Sequence, residues 1–208
     1  MAQRIKNVNY RQFLDSGIIE PIGENEIKQA LDNIEGNKKE ESQALLICMY
    51  YTGGRPVEIL DLRSQDIEVK KHWVIVHFPG RQAGKKSTMP RQIHLNKRLP
   101  FVKILANYAQ RLPPPMRLFH NFKGAYHRKR SIETTYKIRY YINKWFEGVV
   151  KESIPPYFLR HNRFSKMAMS GASDRDIQYM KGAKDIKSVQ PYAHLSLKRA
   201  KKVSRFIN

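Results

Sequence analysis

Three kinds of side chain in this sequence could act together on a phosphodiester: arginines, a pair of lysines and a tyrosine. Arg55 follows the run TGG, and Arg160 lies in the run YFLRHN. Lys85 and Lys86 lie in a basic Gly-containing segment, and Tyr192 follows much later. One guanidinium group can bind two phosphate oxygens at once, and it stays charged at physiological pH. These residue types could form a site where arginines stabilise a phosphorane, a tyrosine attacks phosphorus and a lysine protonates the leaving oxygen.

The elements that must position these residues are predicted to be helices around one hairpin. The β-branched run at 72–77 predicts a strand, and the alternating run at 91–95 predicts its return. Apolar spacing, Pro and Gly predict helices at 24–34, 43–52, 100–112, 132–151 and 173–182, with others starting near Pro56, at Pro155-Pro156 and at Ser188. The expected fold is mainly α with a small β-hairpin or three-stranded sheet, in the α+β class.

The charge balance indicates the kind of partner. The 208 residues include 39 Lys and Arg against 18 Asp and Glu, which gives a net charge of +21 spread along the chain. Polyphosphate backbones are the usual partner of such a surface, so we expect double-stranded DNA. A basic surface with no specific partner is the alternative. Hydrophobic residues at 41% favour a folded chain over a disordered one.

Other bulk features exclude several classes of protein. Cys48 is the only cysteine, so no intramolecular disulfide is possible, and its apolar surroundings favour a buried structural thiol. The seven histidines lack metal-ligand spacing, so we expect no metal and no cofactor. No apolar run approaches the roughly 20 residues that cross a bilayer, and no signal-peptide pattern is present. We therefore expect a cytoplasmic, DNA-associated protein without a membrane partner.

Three segments resemble the conserved boxes of the tyrosine recombinase (phage integrase) family. Residues 52–62 (TGGRPVEILDL) are similar to its first box, residues 157–161 (YFLRH) to its second, and residues 182–192 to its third. In the family these boxes carry two catalytic arginines and the nucleophile, which correspond to Arg55, Arg160 and Tyr192. The resemblance covers about residues 22–195 and implies the catalytic-domain fold of the family. Residues 21–208 would form that domain, with a basic C-terminal segment, after an N-terminal arm or linker at 1–20.

The resemblance also implies a catalytic lysine in the hairpin loop. In the family this lysine precedes an arginine that opens the return strand. Counting back from Arg91 favours Lys86, with Lys85 as the alternative. Tyr179 is the second choice for the nucleophile.

Two positions depart from the family pattern. Tyr157 replaces the second-box histidine, and Ala183 replaces the third-box histidine or tryptophan. Tyr157 can donate a hydrogen bond, but a phenol is a poor base at neutral pH. Lys184 or His161 could cover for Ala183. A Tyr-x-x-Arg second box is similar to that of some archaeal plasmid and virus integrases.

Further residues are given supporting roles. Glu58 is expected to brace Arg55 or a neighbouring turn. Non-specific phosphate contacts are assigned to basic residues outside the boxes: Lys123, Arg128, Lys129, Arg130 and Arg163.

The function implied by the resemblance is site-specific DNA recombination. Attack by Tyr192 would give a 3′-phosphotyrosine and a free 5′-hydroxyl, and this link conserves the phosphodiester energy without ATP or metal. Four protomers would hold two attachment-site duplexes. Ionising a tyrosine about three units below its pKa costs about 4 kcal/mol, so without a histidine we expect a slow but active enzyme. A type IB topoisomerase and a DNA-binding protein that has lost catalysis are the alternatives.

Overall fold

Helices form most of the chain and enclose one small sheet. The computed structural model describes residues 22–80, 88–122, 130–150, 153–155 and 157–193. In these ranges the helices are α1 (Glu24–Asp32), α2 (Lys39–Thr52), α3 (Pro56–Asp61), α4 (Val102–Gln110), α5 (Arg130–Trp145), α6 (Phe158–Met169) and α7 (Asp174–Lys181). The strands are β1 (Ile67–Val69), β2 (Trp73–Phe78) and β3 (Arg91–Asn96), and short 3₁₀ turns span Ser64–Asp66 and Ile186–Val189.

Helix α2 forms the centre of the core. Every residue from Ala44 to Thr52 is buried, as expected for a helix that is apolar on all sides. It packs against α4 and α6. Cys48 lies on this helix, and burial raises the pKa of its thiol to about 12. The prediction of a buried structural thiol is therefore confirmed.

The sheet is antiparallel in the order β1-β2-β3. Val76 of β2 pairs with Ile67 on one side and with Ile93 on the other. The three-stranded version of the predicted fold is thus confirmed, and β1 is the strand that the sequence pattern did not locate. Strand β3 alternates buried and exposed residues. This alternation places Arg91 on the same buried face as Ile93 and Leu95.

Local sequence signals set the ends of the helices near the candidate site. Pro56 is the first residue of α3, as its fixed φ allows. Ser173 caps α7 by accepting a hydrogen bond from Asp176 N at 3.2 Å. Gly182 ends α7 with φ +60°. Helix α6 starts at Phe158, slightly later than Pro155-Pro156 suggested.

The apolar side chains form a main core and a smaller cluster. The smaller cluster consists of Phe164 and Ala168 of α6, Ile177 of α7, Val189 and Tyr192. Residues 190–193 after the second 3₁₀ turn are helical, so Tyr192 lies on a short turn whose inner face packs in this cluster. No helix in the described part of the chain is long and apolar enough to span a membrane.

Candidate functional site

Arg160 is an almost fully buried cation of the site. Only 6% of its surface is exposed. Its Nη1 donates to the Gly53 carbonyl at 2.5 Å, and its Nη2 donates to the Lys181 carbonyl at 3.1 Å. Burial and the nearby charge of Arg55 lower the pKa of the guanidinium to about 10. Arg160 therefore remains charged at neutral pH and joins α6 to the ends of α2 and α7.

Arg55 lies directly before α3, where Glu58 holds its backbone. Its N–H donates to Glu58 Oε2 at 2.9 Å, and its Nη1 lies 3.8 Å from Glu58 Oε1. This Nη1 is shielded from solvent but has no hydrogen-bond partner. Arg55 thus has a donor left over for a ligand. Glu58 holds Arg55 at its backbone, and the supporting role given to Glu58 stays a prediction.

Glu58 also forms a buried ion pair with Arg91. The two guanidinium nitrogens Nη2 and Nη1 donate to its carboxylate at 3.1 and 3.3 Å. Arg91 Nε donates to the Met180 carbonyl at 2.9 Å, so this side chain links β3, α3 and α7. Burial acts to raise the pKa of Glu58, but the charge and hydrogen bonds of Arg91 outweigh burial and lower it.

The structural role of Arg91 was not predicted from the sequence. Arg91 was used only as the position from which the hairpin lysine was located. A signal was present. Arg91 continues the apolar face of β3, and a charge on a buried face needs a partner of opposite charge.

Tyr192 is held inside the small apolar cluster. Its side chain is 1% exposed, and its hydroxyl lies 2.7 Å from His161 Nδ1. Burial raises the pKa of the phenol, although Arg160 opposes this. Burial, Arg160 and Lys181 lower the pKa of His161 to about 4. A neutral imidazole can therefore accept the phenolic proton in a hydrogen bond at neutral pH.

Lys181 is a site residue that the sequence did not single out. Its Nζ lies 5.0 Å from the centre of the Tyr192 ring and 5.7 Å from that of Phe164. The ammonium also donates to the Ser188 carbonyl. Burial, Arg160 and Arg55 lower its pKa to about 8. Its only sequence signal is its place directly before Gly182.

The cluster carries an excess of positive charge. Arg55, Arg91 and Arg160 lie around one carboxylate, that of Glu58, and Lys181 lies close to Arg160 and Arg55. Since Glu58 already pairs with Arg91, the other cations lack a full countercharge among the described residues. Such an arrangement favours binding of an anion.

Some predicted supporting residues lie outside this cluster or lack a functional group. The Tyr157 side chain is 40% exposed at the start of α6. Ala183 is buried and brings no polar side chain, and Lys184 is exposed. The Tyr179 hydroxyl accepts from Gln92 N at 3.2 Å and donates to Gln92 O at 3.3 Å. Tyr179 therefore fastens α7 to β3, and its hydroxyl bonds the β3 backbone.

The other predicted contacts can be placed only in part. Lys85, Lys86, Lys123, Arg128 and Lys129 lie outside the described residues, and of Arg130 only its backbone position at the start of α5 is described.

Arg163 is partly buried, and its Nε has no hydrogen-bond partner. It lines an open cavity of about 590 Å³ together with Tyr50, Tyr51 and Lys166. Its predicted contact with DNA stays a prediction.

The fold and the site together define a class of protein. A mainly helical domain with a three-stranded sheet holds Arg55 and Arg160 in a positively charged cluster, with Tyr192 close to Arg160. The chain belongs to the phage integrase family, whose model matches residues 21–199. The resemblance seen in the three boxes is thereby confirmed, while the archaeal mobile-element origin stays a prediction.

Curated relatives are tyrosine recombinases of the Xer type. The chain is 27% identical over 169 residues to tyrosine recombinase XerD of Listeria innocua, covering 77% of this chain and 52% of XerD. It is 25% identical over 201 residues to tyrosine recombinase XerA of Pyrococcus furiosus, covering 96% of this chain and 64% of XerA. The chain thus spans between half and two thirds of the length of these relatives.

Solved structures share the fold. The XerA recombinase crystal structure superposes with a TM-score of 0.64 at 19% identity, covering 91% of this chain and 65% of that chain. XerH site-specific recombinase bound to its difH substrate gives 0.61 at 18% identity, with coverages of 90% and 54%. The catalytic domain of bacteriophage HP1 integrase gives 0.53 at 15% identity, with coverages of 89% and 93%.

Proposed function

We propose that this chain contains the catalytic domain of a site-specific DNA recombinase, which cleaves and rejoins DNA through a 3′-phosphotyrosine. The observation that carries the proposal is that Arg55 and Arg160 lie together in an electropositive cluster with one carboxylate, and that the buried Tyr192 lies close to Arg160. The domain corresponds to residues 21–208, preceded by an arm or linker at residues 1–20.

The two arginines would bind the scissile phosphate. Arg55 offers an Nη1 that has no hydrogen-bond partner, and Arg160 is fixed by two backbone carbonyls. Because both guanidiniums are positioned before DNA binds, little reorganisation is needed when charge builds up on the phosphorane. Glu58 and Arg91 would act indirectly by holding Arg55.

Tyr192 would be the nucleophile, but it must leave its pocket first. The Tyr192 phenol is buried, its pKa is raised, and its hydroxyl contacts His161. In this position it is poorly suited to attack a phosphate. Once displaced, the phenol releases its proton to solvent, and its oxygen forms a bond to phosphorus as the bond to the 5′-oxygen breaks. Lys86, or Lys85 in its place, would give the leaving oxygen a proton. The reverse reaction restores the phosphodiester, and neither ATP nor metal is required.

The site lacks a histidine at the two variant family positions. Tyr157 is 40% exposed, and Ala183 carries no polar group. His161 lies close to Arg160 and Lys181, and its Nδ1 contacts the Tyr192 hydroxyl. We therefore expect slow cleavage compared with an enzyme that has these histidines.

The partner is proposed to be double-stranded DNA carrying an attachment site. The net charge of +21 suits it, and the XerH structure contains DNA in a pre-cleavage complex. Non-specific phosphate contacts are assigned to Lys123, Arg128, Lys129, Arg130 and Arg163. We propose that four protomers assemble on two duplexes and that the basic segment after residue 193 docks on a neighbour.

Covalent capture on a nicked suicide duplex tests this function. The full chain should form a DNA adduct that survives denaturing electrophoresis, and Tyr192→Phe should lose it. Tyr179→Phe is the matched control and should retain it. An adduct that persists in Tyr192→Phe would show that the nucleophile is wrong. Absence of any adduct across attachment-site candidates would contradict the proposed activity. Assays of supercoil relaxation and two-site recombination would separate a topoisomerase from a recombinase.

A further inference from the structure

Lys181 occupies an unusual position for a lysine. It is partly buried at the last turn of α7, and its own carbonyl accepts from Arg160 Nη2 at 3.1 Å. Its ammonium faces the aromatic rings of Tyr192 and Phe164. Among the described residues no carboxylate pairs with it, and its only hydrogen-bond acceptor is the Ser188 carbonyl.

A lysine in this environment is costly for stability. Two arginines, Arg160 and Arg55, lie close enough to lower its pKa to about 8, together with burial. The carboxylate of Glu58, which lies among the arginines, is already paired with Arg91. Placing a third cation beside two arginines without a countercharge raises the free energy of the folded state. An anion bound among the three would remove this cost.

We propose that Lys181 is a catalytic residue whose ammonium contacts the scissile phosphate beside Arg55 and Arg160. This inference rests on the proposed function and names a further ligand for the same phosphate. When Tyr192 moves out of its pocket, the ring that faces Lys181 Nζ departs. The ammonium is then free to turn toward the phosphate. It keeps its proton and stabilises the negative charge of the phosphorane, so it supplies charge where Ala183 supplies none.

The test compares Lys181→Met, Lys181→Arg and the control Lys187→Met, which alters an exposed lysine of the neighbouring 3₁₀ turn. Single-turnover cleavage of the suicide duplex should slow about 10²-fold in Lys181→Met. Lys181→Arg should retain most of the rate, and Lys187→Met all of it. A purely structural lysine would destabilise the fold when replaced, whereas here we expect Lys181→Met to unfold at the same or a higher temperature.

The pH profile provides a second readout. The pKa of Lys181 is about 8, and a bound phosphate should raise it. The ammonium is charged below this pKa, so its contribution to the cleavage rate is lost as pH rises through it. The groups that face Lys181 are Arg160 and His161 of α6, Arg55 before α3, and Tyr192. Deprotonation of Lys181 should therefore slow wild-type cleavage at alkaline pH. Arginine stays charged in this range, so Lys181→Arg should not show this loss of rate. An identical alkaline limb in both proteins would contradict the proposal.

A DNA-independent measurement separates this inference from the proposed function. The pKa of Lys181 can be followed by NMR on the ¹³C-methylated full chain, assigned with Lys181→Arg, while inorganic phosphate is added. The pKa should rise, and Arg55→Met should weaken the rise. If the chain never cleaves DNA but phosphate raises this pKa, the proposed function fails and the anion contact stands. An unchanged pKa, or wild-type cleavage by Lys181→Met, overturns the role of Lys181.

Discussion

Glu58 is the residue on which the arginine cluster depends most directly. Its carboxylate accepts from the Arg55 backbone and from two nitrogens of Arg91. Both side chains of the Glu58–Arg91 pair are almost completely buried. Removing one member of a buried ion pair leaves an uncompensated charge in a poorly solvated site. The role of Glu58 is thus to hold two positive groups in fixed positions.

Glu58→Gln should destabilise the protein by about 3 kcal/mol, because Arg91 then lacks a countercharge. Glu40→Gln is the matched control, since Glu40 forms an exposed pair with Arg111, and it should change stability by less than about 0.5 kcal/mol. Denaturant unfolding measures both. Equal effects of the two substitutions would show that the Glu58 pair does not stabilise the site.

His161 should make stability depend on pH. Its pKa is about 4 in the folded chain, against about 6.5 in an unfolded one. Between these values the unfolded state binds more protons, so the free energy of unfolding falls as pH drops from 6.5 to 4, by up to about 3 kcal/mol. Unfolding curves measured across this range check the prediction.

The matched variants for this pH dependence are His161→Gln and His94→Gln. Glutamine cannot titrate, so His161→Gln should flatten the pH dependence between 6.5 and 4. His94 is exposed on β3, and its replacement should leave the dependence unchanged. A wild-type slope in His161→Gln would assign the effect to other groups.

At the scale of elements, the docking of α7 on β3 connects the tyrosine segment to the sheet. Arg91 Nε donates to the Met180 carbonyl, and Met89 N donates to the Gly182 carbonyl at 3.0 Å. The Tyr179 hydroxyl adds two bonds to Gln92. These contacts join the strand after the hairpin loop to the helix before Tyr192. The three contacts hold β3 and α7 in a fixed relative position.

Gly182→Ala should disrupt this docking. Its φ of +60° disfavours alanine, and a Cβ would lie 2.5 Å from Arg91 Nη1. Gly148→Ala has a similar φ of +73° with nothing within 4 Å of the Cβ, so it isolates the backbone cost of about 1 kcal/mol. Thermal unfolding should show a clearly larger loss for Gly182→Ala. Equal losses would mean that Arg91 moves aside freely.

Much of this arrangement could be predicted from local sequence. Ser173 and Gly182 bound α7 because capping and left-handed turns have residue-specific signals, and the alternation in β3 was visible. Strand β1 was not located, because three residues give too short a pattern. Lys181 was missed because nothing local marks a lysine that faces Tyr192 across a turn. Its role depends on the packing of α6, α7 and the segment that follows.

At the scale of the whole molecule, the net charge of +21 should dominate DNA affinity. Each phosphate contact releases counterions, so an interface with about six such contacts should bind about 10³-fold more weakly at 200 mM than at 50 mM salt. Fluorescence anisotropy with a labelled duplex measures this. The slope should be similar for an unrelated duplex of equal length. Affinity independent of salt would contradict a phosphate-based interface.

The burial of Tyr192 adds a free-energy cost to DNA cleavage that DNA binding alone does not carry. Burying an aromatic side chain is worth about 2–3 kcal/mol, so its ring would face solvent in only about 1% of molecules at equilibrium. In the free protein the phenol is thus protected from chance reaction. Any factor that preferentially stabilises the minor population, such as a correctly placed duplex or neighbour, could raise the cleavage rate as much as a hundredfold without altering the arginines.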